Sequence, residues 1–166
     1  MVALKKKVKA RKPKTPAALV APKVNVAIVA GQFNDFISKG LLNACLMELR
    51  RSGLKDSQIT TLWVPGSFEM PVAALKLAKK KNIDAVICLG AVIRGDTYHF
   101  EVVANEVAQG LMDVSLSTEK PIIMGVLTTD TIAQAQQRAQ TDGRENKGRD
   151  AAQAALHMIQ LLKAIK

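Results

Sequence analysis

Residues 24–35 read VNVAIVAGQFND. Val24, Val26, Ala27, Ile28, Val29 and Ala30 form a nearly continuous apolar run, broken only by Asn25 and closed by Gly31. A short run of this kind predicts a strand buried on both faces. Beyond Asp35 the continuous apolar run gives way to helical spacing. Phe36, Ile37, Leu41, Cys45, Leu46 and Leu49 recur at helical spacing, which predicts a helix to about residue 52, stopped by Gly53.

The same alternation repeats downstream. Residues 59–64 predict a second strand, and residues 65–71, PGSFEMP, lead into a helix with Pro71 in its first turn, where the missing N–H is harmless. Met70, Ala73, Ala74, Leu77 and Ala78 are its apolar stripe. Residues 84–90 (DAVICLG) predict a third strand, 91–99 a loop, and 100–117 a helix. Residues 121–127 predict the fourth strand. Thr128, Thr129 and Asp130 are expected to cap a short helix ending near Arg138, and a polar loop, 141–147, precedes a last helix over 148–165. Strict strand–helix alternation implies a parallel sheet covered by helices on both faces. Four strands are too few for a closed barrel, so the expected fold is α/β, a flavodoxin-like three-layer α/β/α sandwich.

Composition agrees with one such domain. The chain has 166 residues, 48% of them hydrophobic and only 4% aromatic, so the core must come from Ala, Val, Ile and Leu. Mean hydropathy is +0.08, ordinary for a soluble globular protein, and no apolar run reaches membrane-span length. Cys45 and Cys88 lie alone in apolar segments, the pattern of buried free thiols in a reducing compartment such as the cytoplasm. No Cys or His pair has the spacing of metal ligands, and no metal is expected.

The net charge of +10 suggests nucleic acid, but its distribution argues otherwise. Residues 1–23 hold eight basic side chains and no acid, leaving 16 basic against 14 acidic residues beyond them. The basicity therefore belongs to a tail, and nucleic-acid binding is expected of that tail alone if anywhere. Rich in Lys and broken by Pro13, Pro16 and Pro22, the tail is expected to be disordered. It lacks the apolar stretch of a secretory signal, and a transit segment would be richer in Arg and Ser. A bland solvated extension and an RNA-binding or assembly arm are the remaining readings. The domain is taken as 24–166.

In open parallel sheets, ligands sit beyond the carboxyl ends of the strands. The junctions there read GQFND, PGSFEMP, GAVIRGDTYHF and LTTD. Residues 90–97, GAVIRGDT, imitate a nucleotide-binding P-loop, but Asp96 stands where the phosphate-binding lysine belongs and would repel phosphates. No G-x-G-x-x-G occurs either. A turn through Gly95, Asp96 and Thr97 can still offer N–H groups and a hydroxyl to one phosphate, or be an ordinary turn. His99 comes next, at a helix start. A lone His is often a capping residue, yet general acid–base chemistry uses a group titrating near neutrality in such a place. His157 has no partner motif and reads as structural. Phe33 and Phe68 either stack on a planar ring or pack in the core. Glu69 either accepts from hydroxyls or simply favours a helix start. Arg138 and Lys147 flank the polar loop and read equally as helix-end cations. Together these features describe a site for a planar polar ring, a polyol and a phosphate.

The motifs VAIVAGQFN, VPGSFEMP, GAVIRGDTYHF, NEVAQGL, GVLTTDTIAQAQQRA and NKG, in this order over residues 24–165, resemble the 6,7-dimethyl-8-ribityllumazine synthase family. The resemblance implies a cofactor-free transferase of riboflavin biosynthesis. It condenses 5-amino-6-(D-ribitylamino)uracil with 3,4-dihydroxy-2-butanone 4-phosphate. By position, Phe33 would stack on the pyrimidine with Asn34 beside it. Ser67, Phe68 and Glu69 would hold the ribityl chain, and Val92 and Ile93 would offer backbone groups to the uracil edge. Gly95, Asp96 and Thr97 would form the phosphate turn, with His99 as proton carrier and Arg138 as phosphate clamp. Lys147 would approach the uracil carbonyl. The resemblance also implies a homopentamer with shared sites, Met124 and Arg138 arriving from the adjacent chain, and in some members decamers or icosahedral shells. The chain departs from the pattern at Met124, where an aromatic is common, at Gln32, and in a slightly longer 141–147 loop. A catalytically silent binding or shell-forming paralogue is the alternative. A flavodoxin-type electron carrier is disfavoured by the near-neutral body and the missing phosphate loop after the first strand.

Overall fold

A computed structural model of the chain describes residues 24–140 and 145–165. The expected tail, 1–23, residues 141–144 of the 141–147 loop and residue 166 lie outside the described residues. The chain runs β1 (Val26–Gly31), α1 (Asp35–Arg51), a 3-10 turn (Asp56–Gln58), β2 (Ile59–Val64), α2 (Met70–Ala78), β3 (Ala85–Ile93), α3 (His99–Thr118), β4 (Ile122–Thr129), α4 (Ile132–Ala139) and α5 (Lys147–Ala164). The strands form one parallel sheet in the order β2-β1-β3-β4.

Alternate residues of the central strands feed two separate cores, as a period of two demands. Ile28, Ile87 and Leu89 pack with Ile37, Leu41 and Leu49 of α1, Ala135 of α4 and Ala151, Ala152 and Ala155 of α5. Ala27, Val29, Val86 and Cys88 pack with Met70, Ala74 and Leu77 of α2 and Val107, Leu111 and Val114 of α3. The result is the three-layer α/β/α sandwich expected of the pattern. Each fully buried Val, Leu or Ile contributes about 1.5–3 kcal/mol. On the α1 side, small residues substitute for aromatic bulk. A Cβ on Gly148 would fall 1.9 Å from the Leu41 carbonyl oxygen, so α5 can approach α1 only through glycine.

Three expectations are corrected. β3 does not end at Gly90: Val92 and Ile93 pair with Thr128 and Thr129 of β4, so the ladder continues through residues expected as loop. For the same reason Thr128 and Thr129 are strand, and the cap of α4 is Thr131, whose hydroxyl accepts from the Gln134 N–H at 3.2 Å. Phe36 is exposed, because the buried face of α1 begins one residue later at Ile37. No helix among the described residues is long and apolar enough to cross a membrane.

Cys45 and Cys88 are both buried, on opposite sides of the sheet. Burial, which disfavours the thiolate, pushes each up to about 12. The unfolded thiols titrate near ~8.5, so the protonated folded form is fully favoured below that pH and loses its advantage as pH rises toward 12. Both thiols are therefore expected to resist a thiol reagent at pH 8 until the chain unfolds, and the denaturant midpoint is expected to fall from about pH 9 upward. A Cys45→Ala/Cys88→Ala variant should show a shallower decline, and an identical decline would assign it to other groups.

Candidate active site

Connections from β1 and β3 leave in opposite directions, β1 toward β2 and β3 toward β4. Between their carboxyl ends lies the crevice that such a divergence creates. Asn34 bridges it. Its backbone is left-handed, φ 59° and ψ 43°, where Asn is the tolerated non-glycine residue. Its Nδ2 donates to the Ala91 carbonyl at 3.1 Å. The Phe33 N–H donates to the Pro65 carbonyl at 2.9 Å, tying the β1–α1 turn to the segment after β2. That segment folds on itself, the Gly66 N–H donating to Glu69 Oε2 at 2.9 Å. It settles onto the sheet because β3 carries no side chain at residue 90, where a Cβ would fall 2.8 Å from Met70 Cε and 3.0 Å from Ser67 Oγ.

These segments enclose a cavity of about 700 Å³ over the α2 and α3 side of the strand ends. Of the predicted site residues, it is lined by Phe33, Ser67, Phe68, Glu69, Val92, Ile93, Gly95, Thr97 and His99, joined by the apolar Phe100, Val102 and Val103. Phe33 is 75% exposed and Phe68 56%, so neither packs in the core and both rings are free to stack. Ser67 is buried and Glu69 half-buried, and with Thr97 and His99 they are the polar side chains of a mostly apolar wall. His99 opens α3, its N–H 3.4 Å from the Thr97 hydroxyl. Asn34 and Asp96 are not among the lining residues: Asn34 is committed to the bridge, and Asp96 is exposed on the turn.

Met124, Arg138 and Lys147 are elsewhere. They line a second cavity of about 420 Å³ between the exposed edge of β4 and helices α4 and α5. The two cavities share no lining residue. Arg138 donates through Nη1 to the Gln134 carbonyl at 2.9 Å, which leaves most of its donor fork unused by that bond. Lys147 lies 2.8 Å from Asp150, whose hydrogen bond and charge hold its ammonium above the usual range, while nearby Arg138 works weakly against this.

Two contributors are not singled out by sequence reasoning. Asn146 is fully buried and caps α5. Its Oδ1 accepts from the Gly148 N–H at 2.8 Å and its Nδ2 donates to the Gln140 carbonyl at 2.9 Å, which pins Lys147 after the polar loop. A polar loop running into a helix start is the available signal for it. Arg94, the second, meets two carboxylates beside the 95–97 turn.

A doubly wound parallel sheet with stacking rings, a hydroxyl, a carboxylate and a histidine at its switch point defines an α/β protein with a small-molecule site. The family model described as 6,7-dimethyl-8-ribityllumazine synthase matches residues 23–163. The chain belongs to this family, whose members are transferases of riboflavin synthesis.

The bridge gives a test. Asn34→Gly keeps the left-handed turn and loses the bond to Ala91, at an expected cost of about 0.5–1.5 kcal/mol. Asn34→Ala should lose a further ~1–2 kcal/mol of backbone energy. Denaturant unfolding separates the two. Equal stability of the variants would remove the conformational share, and an unaltered Asn34→Gly would remove the hydrogen-bond share.

Proposed function

We propose that the chain forms 6,7-dimethyl-8-ribityllumazine from 5-amino-6-(D-ribitylamino)uracil and 3,4-dihydroxy-2-butanone 4-phosphate, as a homopentamer with sites shared between neighbours. The observation that carries this reading is the partition of the motif residues. Nine line one cavity and three line another on the same chain, the arrangement required if one copy's second cavity completes the next copy's first.

In the assembled site, Phe33 stacks on the pyrimidine, held by the Asn34 bridge. Ser67, Phe68 and Glu69 hold the ribityl chain. The backbone of Val92 and Ile93 meets the uracil edge. Gly95, Asp96 and Thr97 turn around the phosphate. The neighbour brings Met124 against the ring, Arg138 to the phosphate dianion and Lys147 to the uracil carbonyl. Arg138 suits its role because a planar fork matches two phosphate oxygens.

The 5-amino group adds to the butanone ketone, and loss of one water gives an imine. A proton leaves the adjacent hydroxyl-bearing carbon and the C4–O bond breaks, releasing phosphate. The resulting enol becomes a ketone with a new methyl group. The ribityl-bearing nitrogen adds to that ketone, and a second water leaves as the ring closes. Most of the acceleration is expected from holding the partners together. His99, moving protons at the imine and elimination steps, adds roughly 10²–10⁴-fold at most.

The parent chain, mixed with both substrates, is expected to produce the absorbance of a lumazine. Absence of product with retained ligand binding would favour the silent paralogue and overturn the reading. His99→Ala should slow turnover by roughly 10–10³-fold without loss of uracil binding. Arg138→Ala should weaken the butanone phosphate by roughly 10–150-fold and spare the ribitylaminouracil. Mixed His99→Ala and Arg138→Ala subunits should be more active than either variant alone, because some interfaces then carry neither lesion. No recovery in well-mixed oligomers would overturn the shared site.

A further inference from the structure

Residues 94–99, which carry the 95–97 turn and His99, are all exposed. Burial does little to hold them. The first fully buried residue of α3 is Val107, two turns beyond His99, and before it only Phe100 and Val103 pack partly against the core. Backbone bonding supplies one anchor, the Arg94 N–H donating to the Thr129 carbonyl at 2.9 Å as the last rung between β3 and β4.

The Arg94 side chain supplies the rest. Its Nε donates to Asp130 Oδ1 at 2.8 Å, at the β4–α4 junction. Its Nη1 donates to Glu101 Oε1 in the first turn of α3. Its Cζ lies over the Phe100 ring, 4.2 Å from the centroid. One planar group thus joins the end of β3, the start of α3 and the β4–α4 junction. The bond from Arg94 holds the Glu101 carboxyl below its usual range. Arg94 is not among the residues lining the cavity, although its neighbours Ile93, Gly95 and Phe100 are. Exposed ion pairs contribute little to global stability. The geometry here, two diverging carboxylates and an aromatic face met by one rigid fork, instead fixes where the segment stands.

We propose that Arg94 is a positioning residue of the synthase reaction: by clamping Glu101, Asp130 and Phe100, it sets the place of the phosphate turn and of His99 without touching substrate. This rests on the synthase reading above. A flexible ammonium cannot reach both carboxylates while stacking on the ring, so lysine is a partial substitute at best.

The test has two arms. In the first, amide hydrogen exchange is followed in the full chain. Arg94→Met is expected to speed exchange over residues 97–103 roughly tenfold or more while the β3 amides keep their protection. Glu101→Gln and Asp130→Asn, which each remove one arm of the clamp, should show smaller changes at the same place and stand in if Arg94→Met does not fold. In the second, steady-state kinetics of Arg94→Met should show kcat reduced roughly 10–100-fold and a raised KM for the butanone phosphate, with the ribitylaminouracil KM within about twofold. Arg94→Lys should recover part of kcat. Unaltered exchange over 97–103 would overturn the clamp. Altered exchange with unchanged kinetics, or an equal rise in both KM values, would overturn the positioning role. A parent chain that makes no lumazine would sink the synthase reading, while the exchange arm would still decide the clamp.

Discussion

The hydrogen bond from the Asn34 amide to the Ala91 carbonyl spans the one place where the sheet's connections part. A parallel sheet must be crossed over by helices, and wherever successive crossovers diverge a crevice is left that no helix fills. Here the helix after β1 covers one face and those around β3 the other, so the strand ends are open between them. On the β2 side the β1–α1 turn leans on the Pro65 carbonyl through the Phe33 N–H; toward β3 its tie is Asn34. Asn34 closes the gap from a left-handed backbone and turns Phe33 outward, 75% exposed, next to the Ser67–Glu69 segment. The ring's exposure is thus a consequence of how the turn is anchored, and the cavity takes its shape from that anchor.

The two faces of the molecule then divide the labour of charge and shape. The first cavity is chiefly apolar, with Ser67, Glu69, Thr97 and His99 as its polar side chains. The second carries the cations Arg138 and Lys147, set on helices whose positions come from close backbone packing through Gly148 and from the buried Asn146. On the proposed reading, an apolar recognition surface and a cationic clamp are brought together only by assembly. A dianionic substrate would then meet its counter-charge only in the oligomer.

Much of this is legible in the sequence, and the failures have physical causes. The layers follow from alternating buried runs and helical stripes, as in residues 24–35. Pattern alone misplaces the end of β3 because Ala91, Val92 and Ile93 sit beside a turn-like Arg94–Gly95–Asp96. Their strand state depends on pairing with Leu127, Thr128 and Thr129 of β4, far along the chain, and no local pattern reports that. By residue type Thr128 and Thr129 are caps, yet the ladder claims them first and leaves capping to Thr131. The place and general chemistry of the candidate site are legible from the strand-end junctions, and its residue-by-residue roles only through the family's motifs. His99, Glu69 and the two phenylalanines each have an ordinary structural use, and residue type alone does not say that all four line one cavity. Asn146 and Arg94 escape because a cap and an ion-pair clamp are defined by partners that local sequence does not name.

Gly95 makes the last step. Glycine is retained in folds for a positive φ or for crowding, and neither applies here. Gly53 is the one glycine with positive φ among the described residues, and a Cβ on Gly95 would meet nothing within 4 Å. The chain's own fold therefore does not require glycine at 95. Yet it stands in the cavity wall, one residue after the Arg94 clamp and four before His99. An absent side chain at such a point gives access to the backbone N–H groups of the turn. Access matters only to something that approaches from outside the chain, which on the proposed reading is the phosphate of the butanone substrate. On the same reading, a turn clamped by Arg94 and left bare at Gly95 would suit a phosphate, because donors fixed beforehand need no reorganisation when charge arrives.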